Sequence, residues 1–299
     1  MQACGLLRRQ GDGAGLRARQ QALIAGLESS PSLEDVLLRA DQLLACAGPQ
    51  AALDVLARVS PAPGDGRRLW LVMQWRAAQA GLHHDRAVQA LTLLAQGDPQ
   101  RLEELSLPLG SPGSTRSRQQ TRSALDLLAD HLESLGERRR AAEVLLASRN
   151  PGAVTAARWG RAVALADTLP LQQRDQILEL ALEQAADVGA WGLVAALLDQ
   201  QLANGVSDEA SRQALDRRLR LGGRIDDAYG EWLQRRLLSG PEHDNRNREL
   251  ERQLRSPREP GGHAGSPSPA GPSPDAALSP APAPVPAAAP ASDPSSPQP

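Results

Sequence analysis

The chain has 299 residues, a formal net charge of −2 and 2% aromatic residues, with no Phe and one Tyr. All 33 basic residues are Arg, so activities that need a P-loop lysine, a Schiff-base lysine or a kinase-type lysine are excluded outright. With so little net charge, no global field draws the chain to nucleic acid or to an acidic membrane.

A core without Phe must be assembled from Leu, Ala and Val, side chains that suit close helix packing better than a β-sandwich. The joint absence of Lys and Phe reads first as the codon bias of a GC-rich, bacterial genome.

In chain order, residues 6–24 (LLRRQGDGAGLRARQQALI) read as the end of one helix, a turn at Gly11 and Asp12, and a second helix. The chain is therefore expected to begin part-way through a repeat. Its N-terminus has no signal-peptide apolar region, and the longest unbroken apolar run, 193–198, is far too short to cross a bilayer. Cys4 and Cys46 are far apart and form no CxxC pair. Free thiols in a reducing, cytoplasmic compartment are the expectation.

From about residue 13 to 255 the pattern is helical, with Leu and Ala recurring at three- and four-residue steps and no alternating β-branched run. Ser32, Asp98 (before Pro99) and Ser207 mark helix starts. Gly48, Gly81, Gly136, Gly189, Gly223 and Gly240 mark stops, where glycine can adopt the left-handed closing conformation. The segment 108–115 (PLGSPGST) predicts a loop interrupting the array near 107–118. Fourteen of the 24 prolines lie between Pro257 and Pro299, so 256–299 is expected to be a disordered tail sampling polyproline II, as in 279–290 (SPAPAPVPAAAP).

Two of the glycine intervals, Gly48 to Gly81 at 33 residues and Gly189 to Gly223 at 34, have the period of helix–turn–helix repeats, while Gly81 to Gly136 and Gly136 to Gly189, at 55 and 53, are each roughly one and a half units. Counting back 11, 8, 7 and 4 residues selects one helix face. From Gly136 that face is Leu125, Leu128, Ala129 and Leu132; from Gly189 it is Leu178, Ala181, Leu182 and Ala185. The helix after each glycine repeats as well, with Ala141 and Leu145 after Gly136, and Ala228 and Trp232 after Gly223. On these residues the chain resembles the tetratricopeptide-repeat family over about residues 1–240, although most of the family's aromatic and proline positions are absent. The resemblance implies a right-handed α-solenoid of stacked antiparallel helical hairpins over 1–255. It also implies a concave surface, lined by the first helix of each hairpin, that binds peptide.

Counting back 10, 6 and 3 residues picks out the expected groove. It comprises Leu71 and Trp75 early, then Asp126, Asp130, Glu133, Glu179 and Glu183 as an acidic strip, then Arg217 and Arg220. A groove running apolar, acidic and basic would orient a peptide by charge complementarity. No catalytic set, cofactor or metal site is expected. His83 and His84 share a turn, and His131 has no second histidine at metal-site spacing. Between Arg212 and Arg258 twelve arginines face eight acids, which admits RNA contact, but interleaved Glu249 and Glu251 favour surface pairing. The sequence thus predicts a non-enzymatic scaffold for a peptide or helix partner. A nucleic-acid-associated helical repeat, or an enzyme with an unfamiliar site, are the alternatives.

Overall fold

Ser32 and Asp98 show how the sequence starts its elements. Ser32 Oγ accepts the backbone N–H of Asp35, capping a helix, and Asp98 accepts that of Gln100, capping a single 3-10 turn, Pro99–Leu102. The structure, a computed structural model, describes residues 2–109, 120–205, 208–238 and 240–255. Ser207, most of the 108–115 loop and the 256–299 tail lie outside the described residues.

Fourteen α-helices account for most of the described chain. The first six are α1 (Gln2–Gln10), α2 (Gly13–Ala25), α3 (Leu33–Ala45), α4 (Pro49–Leu56), α5 (Asp65–Ala80) and α6 (His84–Ala95). Then come α7 (Ala124–Ser134), α8 (Arg138–Leu146), α9 (Ala153–Leu165) and α10 (Leu171–Asp187). The last are α11 (Trp191–Asn204), α12 (Asp208–Arg224), α13 (Ala228–Arg235) and α14 (Pro241–Arg255). Between α6 and α7 the uniformly helical expectation fails. Strands β1 (Ser106–Pro108) and β2 (Thr121–Ser123) pair antiparallel, Ser106 opposite Ser123 and Pro108 opposite Thr121.

Packing follows chain order: each helix from α1 to α6 and from α6 to α14 rests on the next, and α3 also meets α5, α2 meets α4 and α9 meets α11. The faces read from Gly136 and Gly189 are the buried ones; Leu125, Leu128, Ala129, Leu132, Leu178, Ala181, Leu182 and Ala185 all lie in the core. Ala141, Leu145 and Ala228 are buried too. Two apolar cores result, and α9 serves both. Ala162 and Leu165 belong to the N-terminal core, Ala156 and Val163 to the C-terminal one.

Four of the six glycine stops need correction. Gly240, with φ of 133°, opens α14, its carbonyl accepting the N–H of Asp244, and α13 has already ended at Arg235. Gly136 and Gly189 do take positive φ. The left-handed closing residue is instead Ala47 beside Gly48, Leu82 after Gly81 and Asp226 beyond Gly223, with φ of 56, 57 and 53°. Gly223 lies inside α12, which runs on to Arg224. Neighbouring Gly222 serves packing: a Cβ there would stand 3.4 Å from Cβ of Glu231 on α13.

The free-thiol expectation is overturned. Cys4 and Cys46 form a disulfide, with Cα atoms 4.9 Å apart, tying α1 to the C-terminal end of α3. The two residues are 42 positions apart, so spacing alone gave no sign of it, and the thiol argument for a reducing compartment falls with it. Among the described residues no helix is long and apolar enough to cross a membrane.

Candidate functional site

The residues expected to form one groove divide into three environments. Leu71 and Trp75 are core residues, 3% and 0% exposed. Leu71 only edges a cleft with Arg67, Arg68, Leu93 and Arg101. Trp75 is held by a polar contact inside the protein, its Nε1 donating to Nε2 of His131 at 3.3 Å. Helical spacing alone points both residues at a partner; they face the neighbouring helices instead.

The acidic strip on α7 is already answered from within the chain. Arg158 on α9 grips Asp126 with two bonds, Nε to Oδ1 at 2.7 Å and Nη2 to Oδ2 at 3.0 Å. Arg161, one turn further along α9, bonds Asp130 at 2.7 Å and also Glu133. Arg122 reaches Asp130 from β2. Burial works against the Arg161 charge, but Asp130 and Glu133 outweigh it and hold the guanidinium charged above its usual range. These carboxylates therefore stitch α7 to α9. They do not present free charge to a basic peptide.

Arg158 continues inward to Glu103, at 2.9 Å, in the most buried ionic cluster of the described chain. Glu103 also accepts the Ser148 hydroxyl and the backbone N–H groups of Arg149 and Asn150. Burial pushes its carboxyl pKa up, yet the backbone N–H of Arg149, Ser148, the backbone N–H of Asn150 and Arg158 together hold it below the ordinary value. A carboxylate so fully bonded is a structural clasp between the 3-10 turn and the α8–α9 connection. It offers no open position to a substrate.

The remaining four expected residues do come together. Glu179 and Glu183 on α10, with Arg217 and Arg220 on α12, line a groove of about 610 Å³. Leu182, Val194, Leu198 and Leu221 make its apolar floor, and Leu180 and Trp191, 52% and 47% exposed, stand at its edge. Glu179 and Arg217 pair across it, Nη1 to Oε2 at 2.9 Å. Arg217, burial opposing, and Gln201 keep the Glu179 carboxyl below its usual range. The other rim charges are not committed in this way. Among the described residues Glu183, Arg220 and Arg224 have no ion-pair partner, and the Arg220 side chain bonds only the Asp216 carbonyl. An apolar floor with unneutralised charges above it suits an amphipathic ligand: the floor supplies burial and the charges supply orientation.

Trp191, Leu180 and Arg224 escaped the sequence reading. Arg217, Arg220 and Arg224 have a three-then-four spacing on one helix face, but Gly223 reads as a helix end and hides Arg224 beyond it. Trp191 opens α11, whereas the expected groove is drawn from the helices that precede each glycine. Most arginines of α12–α14 are paired. Arg218 binds Asp199 and Asp227, Arg235 and Arg246 share Glu231, and Arg236 lies 4.8 Å above the Trp232 ring.

His131, given no partner by its sequence spacing, meets His84 of α6 at 3.0 Å between their Nδ1 atoms. Among the described residues no group of three or more His, Cys, Asp or Glu is arranged to hold a metal ion. No protein-family model matches the chain, and no curated protein is similar to it in sequence.

Proposed function

We propose that the chain is a non-enzymatic adaptor whose helical hairpins stack as a right-handed, tetratricopeptide-like solenoid and take an extended peptide or a partner helix in the groove between α10, α11 and α12. One observation carries the reading. A groove of about 610 Å³ with an apolar floor lies open beneath Glu183, Arg220 and Arg224, whose charges have no ion-pair partner among the described residues. Packing in chain order supports it, since a stack of hairpins grows by adding neighbours and leaves the first helix of each pair on a common face.

Site-specific photo-crosslinking in the native cell tests this. A photoreactive residue replaces Leu180 at the groove, and in a second chain replaces Leu69, which is 60% exposed on α5 away from it. A discrete protein adduct is expected at position 180 and not at 69. It should be lost when Arg220→Glu and Arg224→Glu are added, with helical circular dichroism unchanged. Equal adducts at both positions, or none at 180, overturn the adaptor reading.

A further inference from the structure

The groove has a candidate occupant within the same chain. The described structure ends at Arg255, the last residue of α14. Two residues earlier, Gln253 Nε2 donates to the carboxylate of Asp226 at 3.5 Å. Asp226 lies just two positions beyond Arg224, the last residue of α12 and part of the groove rim. The chain thus leaves the described structure beside the end of the groove where Arg220 and Arg224 stand.

The C-terminal segment is chemically matched to that end. From residue 264 to 299 the sequence holds two charged residues, Asp275 and Asp293, both acidic, and no Arg. In the same stretch Leu278 and Val285 are the only apolar residues larger than Ala and Pro. Leu278 stands three positions after Asp275, a spacing that in an extended polyproline II conformation would bring acid and leucine to one edge about 9 Å apart. Pro280, Pro282 and Pro284 come next. Their rings suit an exposed indole such as Trp191, as proline-rich segments do on aromatic-lined grooves. Asp293 has only Ala, Pro and Ser as close neighbours and lacks such an anchor.

The reach is sufficient. The 20 positions from Arg255 to Asp275, taken as a flexible chain, span about 25 Å root-mean-square. A tether of that length presents the segment at an effective concentration on the order of millimolar.

We infer that residues 275–285 (DAALSPAPAPV) are the groove's resident occupant in the isolated chain. Asp275 meets Arg220 and Arg224, Leu278 covers the apolar floor, and the prolines lie against Trp191. This rests on the groove being a binding surface. It adds that the surface is self-occupied and that a partner must displace the tail.

The experiment uses the full chain and a fluorophore-labelled peptide of residues 273–287, read by anisotropy. The unmodified chain should bind the peptide weakly. The full chain carrying Asp275→Arg and Leu278→Glu frees its groove and should bind the same peptide at least about tenfold more tightly, the ratio set by the lost tether. Adding Arg220→Glu and Arg224→Glu to that chain should abolish the gain. Affinities equal within twofold, no binding to either chain, or a gain that survives the arginine reversals overturns the inference. So does concentration-dependent dimerisation that the tail substitutions remove, because the tail would then sit on a second copy. If these outcomes occur while the position-180 adduct persists, the groove reading stands and only self-occupation falls.

Discussion

The indole N–H of Trp75 can only donate, and it donates to Nε2 of His131. That nitrogen must therefore be unprotonated, so Nδ1 of His131 carries the proton and gives it to Nδ1 of His84 at 3.0 Å. A second proton on His131 has nowhere to sit without breaking the Trp75 bond. Burial and the facing His84 accordingly hold the His131 pKa below the ordinary 6.5, with Asp130 opposing. The consequence for stability has a definite sign. Between the folded and unfolded pKa values the unfolded chain binds a proton that the folded chain refuses, so the contribution is complete above pH 6.5 and is lost as pH falls through the folded value. The slope is at most about 1.4 kcal/mol per pH unit. The Glu103 carboxyl has the same sign but acts only below its ordinary 4.5, which leaves a clear window between the two. His131→Gln keeps one acceptor for Trp75 and one donor for His84 without a titrating ring. Urea unfolding from pH 7 to pH 5 should show falling stability for the native chain and a flatter profile for the variant. Parallel profiles would remove the neutral-ring account.

Helix α9 is close to α11 because of one glycine. A Cβ on Gly160 would stand 2.6 Å from Cδ2 of Leu197, and Gln200 uses the close approach to bond the Gly160 carbonyl at 2.9 Å. On α11, Gly192 has open space around it. Gly160→Leu should cost about 2 kcal/mol through overpacking, measured by urea unfolding. Gly192→Leu should gain a few tenths to about 1 kcal/mol from helix propensity. Equal effects would mean that the α9–α11 crossing does not depend on Gly160. The same elements show what a sequence discloses. Apolar faces such as Leu125–Leu128–Leu132 were legible because a helix repeats every 3.6 residues and its partner is next in line. The fate of Asp126 and Asp130 was not, since Arg158 and Arg161 lie some thirty residues on, and only folding shows that the acids are already paired. Four of the nine expected groove residues do share one groove, because α10 and α12 both face it. Trp75 was misplaced because helical spacing cannot distinguish a face turned to solvent from one turned to the next helix.

At the scale of the molecule, chain-order packing makes stability local. The Cys4–Cys46 disulfide closes a loop spanning 42 positions in the N-terminal core. In the chain-entropy account such a closure is worth up to about 4 kcal/mol. Reduction should therefore speed amide hydrogen exchange in α1–α4 and leave α10–α13 unchanged, a contrast readable by mass spectrometry of peptic fragments. Uniform acceleration would show the two cores to be one cooperative unit.

Helix α9 stands as a party wall between those two cores, giving Ala162 and Leu165 to one side and Ala156 and Val163 to the other. Under tension such an assembly unzips rather than shatters. Helices peel singly from the C-terminal end, and once α10 and α11 have gone the wall itself stays anchored by one face alone, Ala162 and Leu165 against the N-terminal core.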